Sequence, residues 1–125
     1  MLETSQLICF CATKRAEAAK DFYQNVLGLK LIEDSPFVLV FDANGTMLRI
    51  QKVSDHVPPQ HTVLGWKVDD LRSRIDELSK KGVRFERFDR LPQDEDGIWQ
   101  SPDGAFVVWF KDPDGNTLSL TQWPG

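Results

Sequence analysis

The chain has 125 residues, 41% of them hydrophobic and 27% charged, with a net charge of −4 and a pI near 5.1. That suits one compact domain with a sizeable core, and the acidic balance argues against nucleic acid, whose phosphates call for a basic face. No run approaches the roughly 20 apolar residues of a membrane span, and Met1 to Ser5 lacks the basic and apolar regions of a signal peptide, so the expected compartment is the cytoplasm.

Leu7 to Ala12 is a short apolar run and is predicted as a strand. Its two cysteines, Cys9 and Cys11, alternate onto one face, too close for an ordinary disulfide, and are expected as buried core thiols. A C-x-C with no further cysteine supplies too few ligands for a metal. Thr13 to Leu27 carries Ala16, Ala19, Phe22, Tyr23, Val26 and Leu27 as one helical stripe, with Gly28 as its stop. Leu29 to Ile32 is a strand, Glu33 to Pro36 a turn, and Phe37 to Phe41 a strand. Asp42-Ala43-Asn44-Gly45 is a hairpin signal, and Thr46 to Val53 closes a first module.

Ser54 to Gln60, with Pro58-Pro59, reads as a linker. The order then restarts. Thr62 to Val68 is a strand. Asp69 or Asp70 caps a helix with Leu71, Ile75 and Leu78 on one face, and Gly82 ends it. Val83 to Phe88 is a strand and Asp89 to Asp96 a solvated acidic loop. Ile98 to Gln100 and Ala105 to Phe110 are strands. Asp112-Pro113-Asp114-Gly115-Asn116 is a turn before the last strand, Thr117 to Gln122. The fold class is therefore α+β, with two βαβββ modules (about 5–53 and 61–123, linker 54–60) in one domain.

Three segments together resemble the vicinal oxygen chelate superfamily of glyoxalases, extradiol dioxygenases and bleomycin-resistance proteins. They are Phe22-Tyr23-Gln24-Asn25-Val26-Leu27-Gly28, Val68-Asp69-Asp70-Leu71 and Asp112-Pro113-Asp114-Gly115-Asn116. The resemblance covers nearly the whole chain. It implies two modules packed as a curved mixed sheet around a cavity, commonly in a homodimer. Metal-using members take His or Gln from the first strand of each module and Glu from the last. Carried onto this chain, those positions fall on Ile8, Arg49, Val63 and Ser119. Two are aliphatic, one is a cation and one is a poor ligand for a divalent ion, so no metal and no other cofactor is expected. His61, two residues before Val63, is the one nearby donor. His56 falls in the linker and reads as a solvated loop residue.

Strand alternation extends the list of cavity residues. Phe10 and Ala12 should accompany Ile8, and Met47 and Gln51 should accompany Arg49. His61 and Gly65 should accompany Val63, and Thr117 and Thr121 should accompany Ser119. The opposite parity is strongly apolar (Leu7, Cys9, Cys11; Leu48, Ile50; Leu64, Trp66, Val68; Leu118, Leu120) and should pack beneath the helices. Arg49 is the candidate clamp for a carboxylate or phosphate, against the alternatives of a structural ion pair or a solvent-facing side chain. Trp99 and Trp109 are candidates for stacking on a flat ligand, against ordinary core packing. Trp123 should pack on the domain or on a partner subunit. No Walker loop, dinucleotide glycine motif or G-x-S-x-G is present.

The leading expectation is a metal-free, cytoplasmic holder of a small organic ligand, anionic or aromatic, in the homodimer that the resemblance implies. The alternative is a glyoxalase-type or dioxygenase-like enzyme using His61 in a non-standard metal site. A partner-binding domain with a filled cavity is a third class. Neither nucleic acid nor membrane is expected as a partner.

Overall fold

The computed structural model describes residues 1–125, and the chain falls into two compact units, Met1–Val57 and Pro58–Gly125. The first unit runs β1 (Ile8–Thr13), α1 (Ala16–Asp21), a π-helical turn (Phe22–Val26), β2 (Lys30–Asp34), β3 (Val38–Ala43) and β4 (Thr46–Lys52). Its sheet order is β1-β4-β3-β2, parallel between β1 and β4 and antiparallel elsewhere. The second unit repeats the plan with β5 (Thr62–Lys67), α2 (Leu71–Lys80), β6 (Trp99–Gln100), β7 (Phe106–Lys111) and β8 (Thr117–Gln122), in the order β5-β8-β7-β6. Neither sheet closes into a barrel, and no helix is long and apolar enough to cross a membrane.

Each sheet buries one face under its own helix. In the first unit, register places Leu48 beside Cys9 and Phe41, and Ile50 beside Cys11 and Leu39. Leu39, Phe41, Leu48 and Ile50 are buried together with Ala19 and Tyr23 of the helical segment. The Tyr23 ring lies 5.8 Å from that of Phe41. In the second unit, Leu118, Leu120, Val108 and Phe110 form the equivalent floor, covered by Leu71, Ile75 and Leu78 of α2. Asp70 caps α2, its carboxylate accepting from the Ser73 N–H at 3.2 Å, and the side-chain oxygen of Gln122 accepts from the Leu71 N–H at 2.8 Å.

The turns follow their residues. Asn44 and Gly45 have φ of 53° and 94°, the paired left-handed conformation of a two-residue hairpin that Asn-Gly favours. In the 112–116 turn one Asp112 oxygen accepts from the N–H groups of Asp114 (2.9 Å) and Asn116 (3.0 Å). The other accepts from the Asn116 side-chain amide at 2.9 Å.

Four expectations change. The helix over 13–27 is interrupted: Thr13 ends β1, and after Asp21 the chain widens into a π turn in which the Leu27 N–H reaches back five residues to the Phe22 carbonyl. Leu7 precedes β1, has no registered partner and is exposed rather than packed under a helix. Cys9 and Cys11 are half-buried rather than fully buried. Val83 to Phe88 is not a strand. It keeps one bridge, Phe85 to Phe110, and one hydrogen bond, Glu86 N–H to the Trp109 carbonyl. Trp123, expected on the domain or on a partner subunit, is half exposed within the chain, at 51%.

Candidate functional site

In the first unit, the face away from the helix reads in three rows across β1, β4 and β3: Ile8–Met47–Asp42, Phe10–Arg49–Val40 and Ala12–Gln51–Val38. Ile8, Phe10, Met47, Arg49 and Gln51 therefore share one face, as alternation predicts. Ile8 (45% exposed), Phe10 (54%) and Met47 (42%) are unusually open for large apolar side chains. Arg49 stands between the Phe10 ring and buried Val40. Its guanidinium contacts the Met47 sulfur at 3.9 Å. Asp34 pairs with Lys52 (2.6 Å) and Lys20 (3.2 Å), and Arg49 takes no part in that cluster. A structural ion pair is therefore not what holds Arg49.

In the second unit, the face away from α2 carries the aromatics. Its rows are Thr62–Thr117–Lys111, Gly65–Ser119–Trp109 and Lys67–Thr121–Val107–Trp99. The Trp99 and Trp109 rings lie 6.0 Å apart with their planes tilted by 37°. Phe88 meets Trp109 edge-on at 5.4 Å. The Trp109 indole N–H donates to the Thr62 hydroxyl at 3.2 Å, which fixes the ring orientation and leaves both indoles half-buried. Beside Trp109 the row is low. A Cβ on Gly65 would lie 2.8 Å from the Ser119 hydroxyl oxygen, so glycine here makes room for that hydroxyl. Thr117 and Ser119 are themselves buried, so what this row presents beside the half-buried indoles is exposed Gly65 and Thr62.

His61 and Val63 do not follow the expected alternation. The register of β5 against β8 shifts between Thr62 and Leu64, so Thr62 and Gly65, rather than Val63 and Gly65, stand opposite Thr117 and Ser119. The extra residue of a bulge reverses the parity N-terminal to it. His61 lies just outside β5 and is exposed. Thr62 and Phe88 are the residues that reading by alternation overlooks.

The 88–97 segment is pinned rather than merely solvated. The Gln93 amide N–H groups donate to the carbonyls of Glu86 (2.9 Å) and Gly97 (2.8 Å), while its oxygen accepts from the Phe88 N–H at 2.7 Å. Arg72 on α2 pairs with Asp94 at 2.9 Å and also with Asp96. Arg87 donates to the carbonyls of Asp94 and Glu95. Burial opposes ionisation of Asp94, but the Ile98 N–H, the Arg72 guanidinium and the Asp96 N–H outweigh it and hold the carboxyl below its ordinary value.

The four positions the resemblance marks for metal ligands do not fit a divalent ion. Ile8 and Val63 have no donor atom, Arg49 has only cationic donors, and Ser119 offers a neutral hydroxyl. No group of three or more His, Cys, Asp or Glu side chains is arranged to hold a metal.

A family model, the Glyoxalase/Bleomycin resistance protein/Dioxygenase superfamily, matches residues 8–120. The chain belongs to that superfamily. No curated protein matches it significantly. Among solved structures it is similar to lactoylglutathione lyase from Agrobacterium tumefaciens, at 18% identity over 96% of this chain and 95% of that one, with a TM-score of 0.74. It is also similar to TnmS3, an antibiotic binding protein from Streptomyces sp. CB03234, at 24% identity over 99% of each chain, with a TM-score of 0.72. A superfamily member from Sphaerobacter thermophilus DSM 20745 matches at 22% identity over 98% of this chain and 99% of that one, with a TM-score of 0.74. These likenesses establish the fold.

Proposed function

We propose that this chain is a metal-independent small-molecule-binding protein that holds a flat aromatic ligand against the Trp99–Trp109 face. The observation that carries the reading is the pair of half-buried indoles beside the low Gly65–Ser119 floor, with Trp109 oriented by Thr62. Stacking on aromatic faces is sequence-tolerant chemistry that needs no reacting group. The similarity to an antibiotic binding protein supports it, and so does the poor donor set at the family's ligand positions. In the first unit, Arg49, with apolar neighbours and no carboxylate partner, is proposed as an anion contact on its own face. We also propose a homodimer in the cytoplasm, which sedimentation analysis of the purified protein would check for its stoichiometry. The alternative, a metal-dependent enzyme built on the exposed His61, lacks a group of three or more His, Cys, Asp or Glu side chains arranged to hold the ion.

The test is calorimetric titration with naphthalene-2-carboxylate and its neutral relative 2-naphthol. The reading expects both to bind wild type and both to be lost in Trp109→Leu. Wild-type affinity surviving intact in Trp109→Leu would remove the aromatic face from the account.

A further inference from the structure

We propose that residues 88–97 form a fastened flap of the aromatic site, with Gln93 as the positioning residue that holds Phe88 on the indole pair. The inference rests on the binding reading above. Its starting point is the unmade strand. The backbone of 85–88 pairs on one side with β7, through the Phe85–Phe110 bridge and the Glu86 N–H. Past the Glu86 N–H that pairing stops. The Gln93 side chain meets the next backbone groups instead: it accepts from the Phe88 N–H and donates to the Glu86 carbonyl, as a continuing strand would. Its second amide N–H reaches the Gly97 carbonyl, so one side chain ties both ends of the loop together.

Two arginines secure the same loop from outside, Arg72 through Asp94 and Asp96, and Arg87 through two carbonyls. The loop has aromatic residues at its two ends. Phe88 enters it and packs edge-on against Trp109, and Trp99 follows it two residues after buried Gly97. Phe88 is itself 37% exposed, so core burial does little to hold it, and the Gln93 hydrogen bond to its N–H is its nearest anchor. A loop pinned before the ligand arrives spares the ligand the entropy of ordering it. If the pinned arrangement falls to about a tenth of the population, apparent affinity falls about tenfold.

The test uses the intact protein and 2-naphthol, a neutral probe, so that charge on the ligand plays no part. Gln93→Leu keeps the side-chain volume and removes all three hydrogen bonds. It is expected to weaken 2-naphthol about tenfold and to reduce the near-ultraviolet circular dichroism of the indole pair, with far-ultraviolet signal unchanged. Arg72→Gln removes an exposed pair that does not threaten folding, and supplies a second arm should Gln93→Leu fail to fold. Wild-type affinity is expected to fall as salt rises from about 0.01 M to about 1 M, which shortens the screening length from roughly 30 Å to 3 Å. In Arg72→Gln that dependence is expected to flatten. Affinity unchanged in Gln93→Leu, or an identical salt response in Arg72→Gln, overturns the flap while Trp109→Leu still reports on the site. Retained binding in Trp109→Leu would instead sink the binding reading, and the flap with it.

Discussion

Gly65 has no positive φ, so nothing in its backbone demands glycine. Space does. A Cβ there would lie 2.8 Å from the Ser119 hydroxyl oxygen and 3.7 Å from the Ser119 carbonyl. The second distance is ordinary contact and the first is not, so the conflict in Gly65→Ala is confined to one hydroxyl. Overpacking of this kind costs about 1–3 kcal/mol. Loss of glycine's freedom in the unfolded chain returns about 0.4–1 kcal/mol. The expected net destabilisation is about 1–2 kcal/mol, or roughly 3–8 °C in the thermal midpoint. Ser119→Ala removes the hydroxyl and relieves the conflict, so the double variant should be more stable than the sum of the two singles by about 1 kcal/mol. Urea unfolding of the four proteins measures this directly. Strict additivity would refute the claim that Gly65 exists to admit the Ser119 hydroxyl, and with it the account of the low floor beside Trp109.

Asp112→Ala should cost about 2–4 kcal/mol, because it strips the acceptors from two backbone N–H groups and a buried Asn116 amide; chemical denaturation checks it. The hydrogen bonds from Lys52 and Lys20 hold the Asp34 carboxyl below its ordinary value. The stabilisation from that depressed folded-state value is present above the ordinary carboxylate range near pH 4 and is lost as pH falls through the folded value. Asp34→Asn should therefore show a shallower loss of stability in acid than wild type, read from thermal midpoints across that range. Arg49→Gln should weaken binding of inorganic phosphate about tenfold, the loss of roughly 1.4 kcal/mol from a charge-assisted contact, and leave 2-naphthol unchanged. Unchanged phosphate binding would mean that Arg49 is not an anion contact.

The repeated plan was legible because its signals are local. Asn44-Gly45 demands a hairpin, Asp70 caps the helix that follows it, and β4 and β8 alternate cleanly enough to separate Leu48 and Ile50 from Arg49, and Leu118 and Leu120 from Ser119. What could not be read depends on distant partners. The bulge in β5 falls at Val63-Leu64, two adjacent apolar residues that satisfy either register, so nothing in the pattern marks the slip. Val83 to Phe88 has a strand's composition, yet its pairing stops at Glu86 and the next backbone groups are taken by the amide of Gln93. The acidic loop looks solvated until Arg72, more than twenty residues earlier, is placed against Asp94 and Asp96. The Arg49 face of the first unit was accessible to alternation, and the two tryptophans of the second unit stood out by residue type. Thr62 and Phe88 were found by neither route, since each owes its place to an irregularity of the backbone.

The most direct measurement is calorimetric titration of chelator-treated protein with naphthalene-2-carboxylate, in the absence and then the presence of Zn²⁺, Ni²⁺, Mn²⁺ or Fe²⁺. The account predicts the same affinity in every case and its loss in Trp109→Leu. Binding that appears only with one metal, and disappears in His61→Ala, would contradict it and make the metal-dependent enzyme the better description.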